Sequence, residues 1–139
     1  SFFQEMASIY PDKVAVRIGF IPDLARKIYA GSDVLLMPSK SEPCGLAQMI
    51  ALRYGTIPVV RKTGGLADTV IDMGDPEGCG YTFQSYNAHD MFGALKRAQG
   101  LYYNKADWNK AVEHAMECDF SWSKSAGEYV SMYEELMKI

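Results

Sequence analysis

No apolar run in this 139-residue sequence approaches the roughly 18 residues that a membrane-crossing helix requires. Its first stretch shows no basic, then apolar, then small-residue secretion pattern. There is no excess of base either: 14 Lys and Arg stand against 17 Asp and Glu, a formal charge of −3 with a pI near 5.3. No overall positive field therefore draws the chain to nucleic acid or to an anionic membrane surface. Cysteine is scarce. Cys44, Cys79 and Cys118 are an odd number without a CxxC pair, and His89 and His114 lie far from them in sequence. That excludes a disulfide framework and offers no metal-ligand set. With eight methionines, the free thiols fit a reducing cytosol. Also missing are a P-loop, a GxGxxG turn, a Ser-His-Asp order, internal repeats and low-complexity stretches. An apolar share of 48% and a charged share of 22% exclude a disordered or collagen-like chain. At about 150 residues per domain, the length suggests a single domain able to bury a core without staples.

The apolar pattern alternates between short continuous runs and a helical period. Phe2 or Phe3, Met6, Ile9 and Tyr10 repeat at helical spacing until Pro11-Asp12. Val14 to Phe20 is β-branched and closed by Gly19-Phe20, which predicts a strand. Pro22 suits a first helical turn, where its missing N–H costs nothing, and Gly31 closes that helix. Asp33 to Met37 is apolar on both faces, as a buried parallel strand must be. A helix follows with Leu46, Met49, Ile50 and Arg53 as its stripe and Gly55 as its stop. Thr56 to Val60 predicts a further strand, Leu66 to Val70 a short helix, and Tyr81 to Phe83 a short strand. Asn87 reads as a helix cap, and helices follow around Leu95, around Ala111, and from Ala126 to Leu136, where the Tyr and Met stripe is expected to be core. Strand–helix alternation with an all-helical tail predicts an open parallel α/β sheet.

Such sheets bind ligands outside the carboxyl ends of their strands. Three loops qualify: Gly19 to Pro22, Pro38 to Gly45, and Arg61 to Leu66. Between Lys40 and Lys62 four cations stand against Glu42 alone, a local excess of base inside an acidic chain. Two of these loops set Gly beside a helix start, where free N–H groups attract anions. Thr63-Gly64-Gly65 lets backbone approach a phosphate or sugar because no Cβ intervenes; an ordinary turn has the same composition. Glu42, just past a buried strand, can accept hydrogen bonds from sugar hydroxyls or act as a base, and equally reads as a surface acid near a helix start. Phe20 can stack on a flat ring or belong to the core. Cys44 has no histidine placed to activate it. From residues and spacing the reading is a nucleotide or sugar-phosphate binder of the α/β class.

Longer motifs carry more. Glu42-Pro43-Cys44-Gly45-Leu46, then Ala51 to Arg61, then Lys62-Thr63-Gly64-Gly65-Leu66-Ala67-Asp68-Thr69-Val70 closely resemble the bacterial glycogen synthase and plant starch synthase family. Tyr81-Thr82-Phe83, Tyr86 to Asp90 and Asp119-Phe120-Ser121-Trp122 resemble the family's later signatures, so the likeness runs over essentially the whole chain.

The resemblance implies a retaining glucosyltransferase that moves glucose from ADP-glucose to the non-reducing end of an α-1,4-glucan. No metal or cofactor beyond the donor is implied. It also implies two Rossmann-like domains facing across a cleft, with residues 1–139 forming one N-terminally truncated piece of the C-terminal, sugar-nucleotide-binding domain. The partners implied are the sugar nucleotide, the glucan and the N-terminal domain of the same parent chain. By position, Phe20 takes the place of an aromatic that stacks on adenine, and Glu42 that of the acid reading the glucose hydroxyls. Cys44, Gly45 and Leu46 take the place of the loop lining glucose and diphosphate, and Thr63, Gly64 and Gly65 that of the turn beside the donor. Two departures stand out. Ile50 occupies the place where the wider superfamily often has a second Glu for ribose, and no Arg-Leu…Lys-Gly segment of the kind that grips the diphosphate precedes Ser1. The fragment alone is therefore expected to transfer no glucose. A UDP-sugar-dependent transferase and a nucleotide-binding α/β module without catalysis are the alternatives.

Overall fold

The computed structural model describes residues 1–138. Two helices open the chain, α1 (Phe2–Ile9) and α2 (Pro22–Gly31), the latter with Pro22 in its first turn. Strand and helix then alternate: β1 (Val34–Met37), α3 (Ala47–Arg53), β2 (Ile57–Arg61), α4 (Gly65–Thr69) and β3 (Tyr81–Phe83). The tail is helical, with α5 (Ala88–Tyr102), α6 (Lys105–Glu117) and α7 (Trp122–Leu136). The three strands form one parallel sheet in the order β1-β2-β3, Val34 facing Ile57 and Val59 facing Tyr81. The expected open parallel α/β architecture is what the chain adopts.

β2 is the middle strand, and its Ile57 to Val60 are all buried, which is why this segment reads as one continuous apolar run. Leu52 from α3, Ile57 and Val59 from β2, Tyr81 from β3, and Trp108 and Ala115 from α6 form the main core. A smaller cluster of Val60, Leu66 and Val70 sits under α4. Burying a side chain such as Leu52 contributes about 1.5–3 kcal/mol. Thr56 is buried just ahead of β2, its hydroxyl between the carbonyls of Tyr29 (2.5 Å) and Ser32 (2.9 Å), which ties the end of α2 to the sheet. Asn87 caps α5 as its sequence signal implies, accepting from the Asp90 N–H at 2.8 Å.

Four expectations fail. Asp33 to Met37 is not a buried strand: β1 lies at the edge of the sheet, with Leu36 exposed and its other residues half-buried. Val14 to Phe20 forms no strand: Val14 and Val16 are half-buried, but no other strand pairs with the segment. β-propensity describes fitness for a pleated surface and supplies no partner for the ladder. The buried face of α3 is Gln48, Ala51 and Leu52, whereas Leu46 and Ile50 of the expected stripe are exposed. The sheet and α4 take the narrow face of α3, leaving the bulkier one to line a cavity. The Tyr and Met stripe of α7 is also outside the core. Tyr129, Met132 and Tyr133 are all exposed, and α7 buries no residue among those described.

One ion pair locks the loop between α4 and β3. Asp72 accepts from both terminal nitrogens of Arg97 (2.7 and 3.0 Å) and from the Thr82 N–H (2.7 Å) and hydroxyl (2.9 Å). Arg97 also donates to the Thr82 carbonyl at 2.7 Å, and its guanidinium lies 5.3 Å from the centre of the Tyr81 ring. Burial alone raises the Asp72 pKa. Arg97, the Thr82 and Gly74 N–H groups and the Thr82 hydroxyl outweigh it and hold the carboxyl well below the usual carboxylate range. A carboxyl lowered by folding stabilises the fold above its unfolded pKa, and that stabilisation is lost as pH falls towards the folded value. Arg97→Ala should cost about 1–2 kcal/mol at pH 7. The penalty should shrink as pH drops from about 5 to 3, as read by urea unfolding at each pH.

Candidate functional site

β1 and β2 are adjacent and parallel, so the loops that leave their carboxyl ends, residues 38–46 and 62–64, emerge side by side. They pack backbone to backbone. The Gly65 N–H lies 3.1 Å from the Glu42 carbonyl and 3.2 Å from that of Pro43. Gly64 has φ +47° and ψ −137°, a conformation that residues with a Cβ rarely adopt. A Cβ on Gly64 would overlap the Glu42 carbonyl, and one on Gly65 the Cys44 carbonyl. What the two glycines admit in this structure is the neighbouring loop.

Glu42 lies half-buried on that interlocked backbone, and its carboxylate has no hydrogen-bond or ion-pair partner among the described residues. Cys44 and Leu46 are exposed on either side of Gly45, which holds φ +75°. The N–H groups of Gly45 and Leu46 donate to no protein acceptor among the described residues. One short loop thus offers an anionic acceptor beside two free donors. An arrangement of this kind can hold a molecule bearing hydroxyls at one end and oxyanions at the other.

The four cations between Lys40 and Lys62 do not act as one patch. Arg61 donates to the Lys40 carbonyl (2.9 Å) and the Gln84 carbonyl (3.1 Å) and stacks 5.7 Å from the centre of the Tyr86 ring, bracing both flanking loops. Arg53 sits in the last turn of α3, at the opposite end of the helix from the loops. There it lowers the Asp119 pKa, behind the larger effect of the Ser121 hydrogen bonds. Lys40 and Lys62 remain exposed at the strand ends.

The structure brings Glu42, Cys44, Gly45, Leu46, Thr63, Gly64 and Gly65 together and leaves Phe20 apart. Phe20 is 95% exposed, and the small cavity it lines, about 150 Å³, is made by residues between Gly19 and Ile28. A cavity of about 750 Å³ runs along α3 between Leu46, Ile50 and Arg53 on one side and Met116 and Phe120 on the other. It meets the loops only at Leu46. Gln48, which the sequence pattern did not single out, is wholly buried beneath the Cys44-Gly45 peptide. Its signal was present as the only polar residue on the inward face of α3.

A parallel sheet with this helix order, carrying its loops at the strand ends, is the architecture of a glycosyltransferase catalytic domain. The chain belongs to the family described as glycosyl transferases group 1, whose model matches residues 10–115. It is similar to the glycogen synthase of Anoxybacillus flavithermus, 54% identical over 98% of this chain and 28% of that protein. It is likewise similar to that of Geobacillus stearothermophilus, 52% identical over 99% of this chain and 29% of that protein. The chain thus spans less than a third of the length of these relatives. Among solved structures it resembles the catalytic domain of starch synthase IV from Arabidopsis thaliana, bound to ADP and acarbose, with a TM-score of 0.84 and 39% identity. That match covers 96% of this chain and 29% of that one. Sucrose-phosphate synthase from Thermosynechococcus elongatus shares the fold, with a TM-score of 0.65 at 23% identity over 97% of this chain and 33% of that one.

The interlock predicts opposite signs for two glycine substitutions. Gly64→Ala should destabilise by about 3 kcal/mol, combining backbone strain with overlap. Gly100→Ala, where a Cβ on α5 meets open space, should stabilise by about 0.5–1 kcal/mol. Urea unfolding at neutral pH distinguishes them.

Proposed function

We propose that this chain is the donor-binding portion of a retaining glucosyltransferase that moves glucose from ADP-glucose to the non-reducing end of an α-1,4-glucan. The observation that carries the reading is the loop Glu42–Leu46, where a free carboxylate stands beside two free backbone N–H groups at the strand ends. Carboxylate oxygens accept from sugar hydroxyls, and fixed N–H dipoles suit the diphosphate oxygens. Relatives named glycogen synthase, at 52–54% identity over nearly all of this chain, support the choice of glucan. The ADP bound to the similar starch synthase IV catalytic domain supports the choice of nucleotide.

In this reading Glu42 orients the glucose and does not attack it. Cys44, Gly45 and Leu46 line the sugar and diphosphate, and Thr63, Gly64 and Gly65 flank them. Phe20 offers an exposed ring for adenine, since aromatic faces bind flat bases by stacking. Departing ADP takes the bonding electron pair from the anomeric carbon. The acceptor hydroxyl adds on the same face, which gives retention, and passes its proton to the departing diphosphate oxygen. Charge developing on the diphosphate is met by donors fixed before the reaction, and such interactions accelerate the step when they strengthen towards the transition state. Residues 1–139 form one donor-side unit, and the acceptor-side domain belongs to a longer protein.

Replacing the matching segment of the Geobacillus stearothermophilus glycogen synthase with this chain tests the proposal. The graft should elongate glucan with ADP-glucose and use UDP-glucose poorly; a graft that prefers UDP-glucose overturns the donor assignment. Glu42→Ala in the active graft should lower kcat by about 10²–10³-fold with the unfolding midpoint little changed. Near-normal turnover would remove Glu42 from the site. The 139-residue chain alone should transfer no glucose.

A further inference from the structure

Gln48 is wholly buried, yet half of its amide has no partner. Its Nε2 donates to the Cys44 carbonyl (3.1 Å), the Gly45 carbonyl (2.8 Å) and the Thr69 hydroxyl oxygen (3.0 Å). The Thr69 proton is committed to the Gly65 carbonyl at 2.7 Å, so Thr69 can only accept from Gln48. All three neighbours are acceptors. The amide therefore has one workable orientation, with Nε2 towards them and Oε1 away. Oε1 then lies under Gly45, 2.6 Å from where a Cβ would stand, and it is the buried side-chain atom left without a partner among the described residues.

An unpaired buried acceptor lowers stability, and a methionine or leucine would fill the same space without one. Against that cost stand the bonds donated by Nε2, and the peptide geometry shows what they do. In a planar trans peptide the C=O and N–H point in opposite directions. Drawing the Cys44 and Gly45 carbonyls inward therefore turns the Gly45 and Leu46 N–H groups outward, where both are free. Gly45 sits at φ +75°, a backbone conformation that favours glycine, and Leu46 follows at φ −108° and ψ −25°. Through Thr69 the same amide also fixes Gly65, so one side chain sets both loops.

We propose that Gln48 is the positioning residue of the donor loop, its amide holding the Cys44 and Gly45 carbonyls inward so that the Gly45 and Leu46 N–H groups face the diphosphate. The proposal rests on the donor-binding reading above and adds the residue that sets the loop. Gln48 touches no ligand itself and acts through the two peptides.

The test uses the 139-residue chain with ADP as the probe, following backbone amide resonances alongside thermal unfolding. In the wild type, ADP should shift the Gly45 and Leu46 amides in a saturable way. Gln48→Met, which keeps the length and loses the donors, should still unfold cooperatively. Its ADP affinity should fall at least tenfold, with the Gly45 and Leu46 amides displaced before any ADP is added. Thr69→Val, which removes the hydroxyl that orients the amide, should weaken ADP several-fold in the same direction. Gln48→Met with wild-type affinity overturns the positioning role and leaves the donor-binding reading intact. Loss of cooperative unfolding in Gln48→Met overturns it as well, by making Gln48 a residue that holds the fold. Wild-type chain whose loop amides ignore millimolar ADP overturns the donor-binding reading, and this proposal with it.

Discussion

The arrangement of the strand-end loops depends on one contact, the packing of the Gly64-Gly65 backbone against the backbone of Glu42 to Cys44. Adjacent parallel strands lie about 4.8 Å apart, so the segments leaving their carboxyl ends compete for the same space. Two peptide chains can share it only where one of them lacks side chains, and Gly64 also needs a φ that other residues seldom adopt. The Gly65 N–H then finds its acceptors on the opposite loop. The glycines thus make a rigid joint between crossovers, and Glu42, Cys44 and Leu46 are carried on its outer surface. Fixed geometry matters for the proposed role of Glu42, because a carboxylate that selects one orientation of a sugar cannot ride on a mobile loop.

The rest of the fold supports that joint from three sides. The buried β2 sets the height at which both loops emerge, through a register that ends with Met37 opposite Val60. Arg61, the last residue of β2, reaches the Lys40 carbonyl in one direction and the Gln84 carbonyl in the other, so a cation serves as a brace for loops. The Asp72–Arg97 pair closes the long connection into β3, placing Phe83 where the Lys62 N–H can donate to its carbonyl at 2.8 Å. Hydrophobic burial positions the strands, and a small number of directional bonds positions what hangs from them.

Much of this was legible in the residues. An apolar run on both faces marked β1, Thr56 to Val60 marked β2, Gly-Gly before a helix marked the turn, and an acid just past the first of these strands marked the loop that holds Glu42. What the pattern could not supply was the partner. Val14 to Phe20 has strand composition, and a strand exists only when another lies beside it. The stripe at Leu46, Met49, Ile50 and Arg53 on α3 has the correct period, but the narrower face carrying Ala51 and Leu52 faces the sheet, which takes the closer-fitting side. Likewise α7 has an apolar face without a neighbour among the described residues to cover it. Periodicity gives direction around a helix axis and stays silent about distance to the next element. Gln48 was missed for a related reason: a polar residue in a helix reads as surface until its burial is known.

Charge shows the same distinction between composition and placement. An acidic chain with a locally basic segment suggested a cationic cradle for a diphosphate. In the fold, Arg53 sits at the far end of α3 from the loops and Arg61 is committed to carbonyls. That leaves Lys40 and Lys62, both exposed and therefore screened. The stronger electropositive element of the loops is then the free backbone N–H groups of Gly45 and Leu46. They need no long side chain to be immobilised, and they present fixed dipoles whose orientation is set before any ligand arrives. A site built this way favours charge that develops in one place over charge in general, which is what the proposed release of a diphosphate from its sugar would use.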